Sequence, residues 1–160
     1  MSDFPRTLKI VTVWALLGLV VFLGFRALEA REQRTRFEWH GDTVTLRRAG
    51  DGHYHWPGRV NGVAVDFLVD TGATRTALPR SLARQAGLQE SGRVMSSTAG
   101  GVVSGAQARA DVSLEGGIEA RQLRVVVLPD LEHALLGMDV LGRLSLQQRG
   151  DVLTVDLGAR

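Results

Sequence analysis

The chain has 160 residues, 44% of them hydrophobic and 22% charged, enough apolar material for one buried core and too little polar bias for a disordered chain. A sequence pI of 9.9 suggests a nucleic-acid binder, but the net charge is only +2, and from residue 49 onward 11 Arg stand against 12 Asp and Glu. A near-neutral domain lacks the basic footprint that phosphate backbones require, so no nucleic-acid partner is expected; with no cysteine, disulfides and thiol chemistry are excluded.

Residues 1–9 form a short polar tail with Arg6 and Lys9. Ile10 to Phe25 then runs for 16 residues without a charge. As a helix it would reach about 24 Å at 1.5 Å per residue, short of a hydrocarbon core of roughly 30 Å. Leu8, Ala27 and Leu28 lengthen it, with Lys9 and Arg26 placed to snorkel. A cleaved signal peptide is the rival, but Leu28-Glu29-Ala30 is a poor cleavage site. The pattern predicts a transmembrane anchor over residues 10–28, followed by a charged stalk over 29–36. Arg26, Arg31, Arg34 and Arg36 follow the anchor, against Arg6 and Lys9 before it. That count alone would put the C-terminal side in the cytoplasm.

From Phe37 the pattern turns to β, and residues 37–160 are read as one domain. Val44-Thr45-Leu46 is a short strand, and Ala49 to Gly52 a turn cluster. His53 to Trp56 is the next strand, interrupted by Pro57-Gly58. Asn61-Gly62 between Val60 and Val63 is a strong hairpin signal. The second arm runs through the apolar Phe67-Leu68-Val69 into Asp70, so the turn fixes the register that presents this carboxylate. Thr71 supplies a hydroxyl beside it, and Gly72 permits a close backbone approach. An Asp-Thr-Gly can be an ordinary turn, but the apolar lead-in and the small Ala73 favour a functional one.

Leu78 to Leu88 reads as one short helix, with Pro79 in its first turn and Gly87 at its stop. Val94 to Thr98 is extended and leads into Ala99 to Gly105. Its glycines lack the spacing of a phosphate-binding loop, and Gly100 and Gly101 read as the tip of a flexible hairpin. Val125 to Leu128 is a fully buried strand by its unbroken apolar run. Leu135-Leu136-Gly137 ends another short apolar element, Met138 to Leu144 makes a helical turn, and a last hairpin surrounds Arg149-Gly150-Asp151. His53 and His55 share a strand face, but no third ligand stands at metal spacing. No metal or cofactor is expected, and Gly-x-Ser-x-Gly and His-Glu-x-x-His are both absent.

Phe67-Leu68-Val69-Asp70-Thr71-Gly72-Ala73-Thr74 resembles the active-site segment of retropepsin-like aspartic proteases, and Ala134 to Leu141 resembles the apolar-apolar-Gly loop and short helix of the same family. The likeness covers about residues 50–157. It implies an all-β fold: a small closed barrel with two short helices, here preceded by the membrane helix. It also implies an endopeptidase acting on protein or peptide substrates, with Asp70 catalytic and Thr71, Gly72, Ala73 and Thr74 supporting it. Gly100 and Gly101 fall in the flap, and Leu135, Leu136 and Gly137 in the second loop.

A carboxylate dyad needs two Asp residues sharing one proton. This chain has one Asp-Thr-Gly, so the second Asp would come from a second copy. Bacterial membrane-anchored members share this layout, which implies the inner membrane with the domain in the periplasm, against the Lys/Arg count. Retroviral members usually carry Arg after the second-loop glycine, where this chain has Met138. That departure keeps a rival reading open, a non-catalytic peptide-binding or dimerisation module on the same fold.

Overall fold

The computed structural model describes residues 6–34, 37–98 and 101–158. The chain divides into two units, Met1–Thr35 and Arg36–Arg160. The first contains one helix, α1, Arg6–Arg34. It starts inside the segment expected to be a tail and continues through most of the expected stalk. Residues 10–24 are exposed around its whole circumference. Among the described residues no helix is long and apolar enough to cross a membrane, so the span expected over residues 10–28 is not shown. Lys9 and Arg26 bracket the apolar run at a length below a bilayer core.

The second unit is all-β with two short helices. Its strands are β1 Phe37–His40, β2 Thr43–Arg47, β3 His55–Val60, β4 Val63–Val69, β5 Ala77–Pro79, β6 Ser91–Thr98, β7 Gly101–Leu114, β8 Ile118–Leu128, β9 Ala134–Leu136, β10 Ser145–Arg149 and β11 Val152–Asp156. The helices are α2 Arg80–Gln85 and α3 Met138–Leu141. Six strands close a barrel in the order β3-β4-β9-β5-β8-β7, sealed by pairing of β3 with β7. The β6 strand extends β7 beyond the barrel, and β1-β2-β11-β10 form a separate sheet. Trp56, Phe67, Leu78, Val127 and Leu136 fill the core without exposure, and Trp56 Nε1 donates to Glu115 O at 2.8 Å.

The hairpin that presents Asp70 forms as its sequence predicts. Asn61 and Gly62 both take positive φ, 47° and 85°, the geometry of a type I′ turn. The expected interruption at Pro57-Gly58 does not occur, and β3 runs through both residues to Val60. Pro57 has no N–H to give, but its carbonyl accepts from Glu115 N at 2.9 Å. Gly58 lies on the closing seam, where a Cβ would stand 2.5 Å from Ser113 O. The glycine therefore lets the barrel close there.

The expected helix over residues 78–88 is shorter than its pattern. Leu78 and Pro79 belong to β5, paired in parallel with β8 at Val127 and Leu128, and α2 begins at Arg80. Leu78 is buried, as its apolar character demands, but in a strand.

Candidate active site

Asp70 follows directly on β4, the strand held between β3 and β9. Val69 N donates to Tyr54 O at 2.9 Å, and Asp70 N to Leu136 O at 3.0 Å. The carboxylate thus sits at the end of a strand fixed from both sides. The chain then turns on itself, with Gly72 N donating to Asp70 Oδ1 at 2.9 Å and Ala73 N to Asp70 O at 3.2 Å. Asp70 is half-buried, whereas Thr71 and Gly72 are exposed. One oxygen of the carboxylate is aligned by a backbone donor, and the loop beside it faces solvent.

Leu135 and Leu136 lie in β9, parallel to Leu68 and Val69, so the two loops expected to form the site leave adjacent strands at the same level. Met138 N donates to Ala73 O at 2.8 Å. Gly137 packs its Cα against the 75–76 peptide, where a Cβ would meet Arg75 C at 2.4 Å. The structure therefore brings Asp70, Ala73, Leu136 and Met138 into one hydrogen-bonded unit, with Gly137 packed against it. Thr74 is exposed next to it.

Thr76 and Asp139 complete this unit, and sequence reasoning gave Thr76 no role. Thr76 is fully buried. Its N lies 3.0 Å from both oxygens of Asp139, its Oγ1 donates to Asp139 Oδ1 at 2.8 Å, and the same Oγ1 accepts from Gly137 N at 3.2 Å. A buried hydroxyl used as both donor and acceptor ties the Asp70 loop to the second loop across 63 residues of sequence. The available signal was Asp139 in the first turn of α3, where a carboxylate suits free N–H groups.

β6 and β7 form the expected hairpin, from Ser91↔Gln107 to Thr98↔Gly101. Gly101 opens β7, and Gly100 lies outside the described residues. The face carrying Val94 and Val103 packs on Ala77, Val126 and Leu128, as does Leu135, next to the strands that bear the two loops. The opposite face exposes Met95 and Val102.

His55 is bound as a surface residue, with Nδ1 2.8 Å from Asp66 Oδ2 and Nε2 2.8 Å from Asp51 Oδ2. Asp51 also accepts from His53 N at 3.0 Å. That amide bond first, and then the His55 contact, holds the Asp51 carboxyl below its usual range. Among the described residues no three His, Asp or Glu side chains gather as a metal site.

Residues 56–143 match the family described as "gag-polyprotein putative aspartyl protease". The crystal structure of a retropepsin-like aspartic protease from Rickettsia conorii is similar to this chain, with a TM-score of 0.58 and 25% identity, over 75% of this chain and 94% of that one. An uncharacterized protein of Rickettsia prowazekii (strain Madrid E) is 26% identical over 148 residues, 83% of this chain. This chain spans 64% of that relative's length. The strand-delivered Asp-Thr-Gly turn, the parallel second loop pinned beneath it and the family match over more than half the length agree, and the chain belongs to the gag-polyprotein aspartyl protease family, on a retropepsin-like barrel.

Proposed function

We propose that this chain is one half of an aspartic endopeptidase, which works as a homodimer with one Asp70 from each copy. The observation that carries this reading is the Asp70 turn itself. A single carboxylate stands at the end of a rigid strand, aligned by Gly72 N, while Thr71 and Gly72 remain open to a second copy. Two such turns meeting on a two-fold axis bring two carboxylates into one site, where like charges force them to share a proton. The ionised Asp70 takes a proton from a water, which attacks the scissile carbonyl. The protonated Asp70 donates to the carbonyl oxygen and later to the leaving nitrogen. Thr71 bonds across the dyad to the partner loop, and the β6–β7 hairpin covers the peptide and excludes water.

The exposed Met138, where retroviral members usually carry Arg, favours a second reading, a peptide-binding or dimerisation module without turnover. The full chain in nonionic detergent, at several concentrations between about pH 4 and 7, separates the two. Cleavage of a mixed peptide library should rise faster than linearly with protein. It should vanish in Asp70→Asn, which keeps an oxygen for the Gly72 N bond and folds like wild type. Activity surviving in that variant would sink the mechanism, and peptide binding without cleavage by a folded dimer would select the second reading.

The same reading attaches residues 10–28 to the inner membrane and puts the barrel in the periplasm. It is supported by the exposed apolar surface of residues 10–24 and by the likeness to membrane-anchored family members. Tethering would raise the local concentration of a weak dimer. Recovery of the native chain in the soluble fraction, or protection of the barrel from external protease in spheroplasts, would exclude this placement.

A further inference from the structure

The outer face of the β7–β8 pair carries charge that the fold does not need. In this antiparallel ladder Arg109 stands directly opposite Arg124, while Ala108, Ala110 and Val125 beside them are buried. Like charges in register oppose strand pairing. Neither guanidinium has a carboxylate within 4.0 Å among the described residues. Arg109 Nη1 reaches only Gln122 O, at 3.5 Å.

These two arginines line a cavity of about 390 Å³ together with Arg75 and Arg143. Arg75 comes five positions after Asp70, and Arg143 follows α3. Two carboxylates also line the cavity, and both are engaged. Glu119 pairs with Arg121, also in the lining, at 3.3 Å, and Asp139 accepts from Thr76 N and Oγ1. Arg75, Arg109, Arg124 and Arg143 are left without an acidic partner among the described residues. Four arginines lining one concave site are suited to several carboxylates at once, each able to take a two-pronged Arg contact.

We infer that this cavity is an exosite for an acidic stretch of polypeptide. The acidic stretch is part of a substrate chain, an assignment that rests on the endopeptidase reading above. Arg75 lines the cavity and lies five residues after Asp70, which puts it on the same loop segment as the carboxylate that would engage the chain. The cavity offers no aromatic platform for bases, and the near-neutral domain around it gives no phosphate-tracking surface. Carboxylates on a peptide fit both facts. The opposed Arg109 and Arg124 are then held together by their ligand, and their repulsion in its absence is the cost of keeping the site.

The test measures binding, not cleavage. The full chain carrying Asp70→Asn, in nonionic detergent, is titrated against fluorescein-labelled oligoglutamate and its glutamine counterpart, followed by anisotropy at about 50 mM salt, where exposed charges are only partly screened. The glutamate peptide should bind at least about tenfold more tightly, and Arg109→Ser with Arg124→Ser should remove about tenfold of its affinity. Arg143→Ser, which leaves the strand pair intact, should weaken it in the same direction. Equal affinity for the two peptides, or binding untouched by these substitutions, overturns the inference. So does binding of phosphatidylglycerol vesicles or of oligothymidylate that depends on these arginines while oligoglutamate does not bind. Arginine-dependent binding with no cleavage by the wild-type chain would sink the endopeptidase reading, and with it the assignment of the acidic chain as substrate, while leaving the acidic-peptide site; cleavage without such binding would sink the exosite alone.

Discussion

Residues 70–72 and residue 76 lie within one short segment and live in opposite environments. The first three make the Asp-Thr-Gly turn, with Thr71 and Gly72 exposed. Thr76 is sealed from solvent and bound to Asp139 and Gly137. The turn has few bonds and free access, and the pin below it has many bonds and no access. A reactive carboxylate needs water and a substrate beside it, so the groups that hold it in position must act from the dry side of the loop. The contrast therefore predicts that stability depends on the pin and chemistry on the turn.

Gly137→Ala tests the pin most severely. The added Cβ would lie 2.4 Å from Arg75 C and 2.7 Å from Arg75 O and Thr76 N. All three are backbone atoms, which cannot swing away. Gly137 itself has φ −93°, open to any residue, so the penalty is one of space and not of backbone conformation. A loss of about 3 kcal/mol in urea unfolding is expected, at the upper end for an overpacked interior. An unchanged midpoint would mean that the two loops can separate without cost, and the contrast would collapse.

A matched pair of substitutions sharpens the comparison. Thr76→Val keeps the shape but removes the hydroxyl that donates to Asp139 and accepts from Gly137 N. It leaves a buried amide unpaired, at an expected cost of about 1–3 kcal/mol. Thr71→Val makes the same chemical change on the exposed turn and should stay within about 0.5 kcal/mol in the isolated chain. If urea midpoints place the two variants together, burial is not what separates turn from pin.

The turn was legible in the sequence and the pin was not, for a physical reason. The β4 strand, Asp70, Thr71 and Gly72 are contiguous, and Asn61-Gly62 announces the hairpin that feeds them, so local rules suffice. Leu135 to Gly137 was likewise visible as an apolar run ending in glycine. Thr76 takes its role from Asp139, 63 positions away, and no local pattern marks a threonine that will be buried by distant chain. The β5 strand was hidden because three residues ending in a proline show no periodicity, so Leu78 was absorbed into the helix that follows. Pro57 and Gly58 looked like a break because the barrel seam that uses them, β3 against β7, joins segments over 50 residues apart. The apolar run of α1 was plain in the sequence, and the helix forms over it.

The exposed carboxylate Asp51 gives the smallest effect and the last test of the contrast. It caps the turn into β3 by accepting from His53 N, and it touches His55, which in turn touches Asp66 on β4. The amide bond and the imidazole both favour the charged form, so the folded-state carboxyl lies below its ordinary value of 3.8. A carboxyl depressed on folding contributes stability that is fully present above its unfolded value and lost as pH falls through the folded one. Asp51→Asn keeps an oxygen for His53 N and removes only the charge. The stability gap between wild type and this variant should be present at pH 6, shrink below pH 3.8, and stay under about 1 kcal/mol, since an exposed pair is screened by water and salt. A gap as large as that of Thr76→Val, or one that grows on acidification, would show that the solvent-facing side of the strands delivering Asp70 holds the loop as firmly as the buried side.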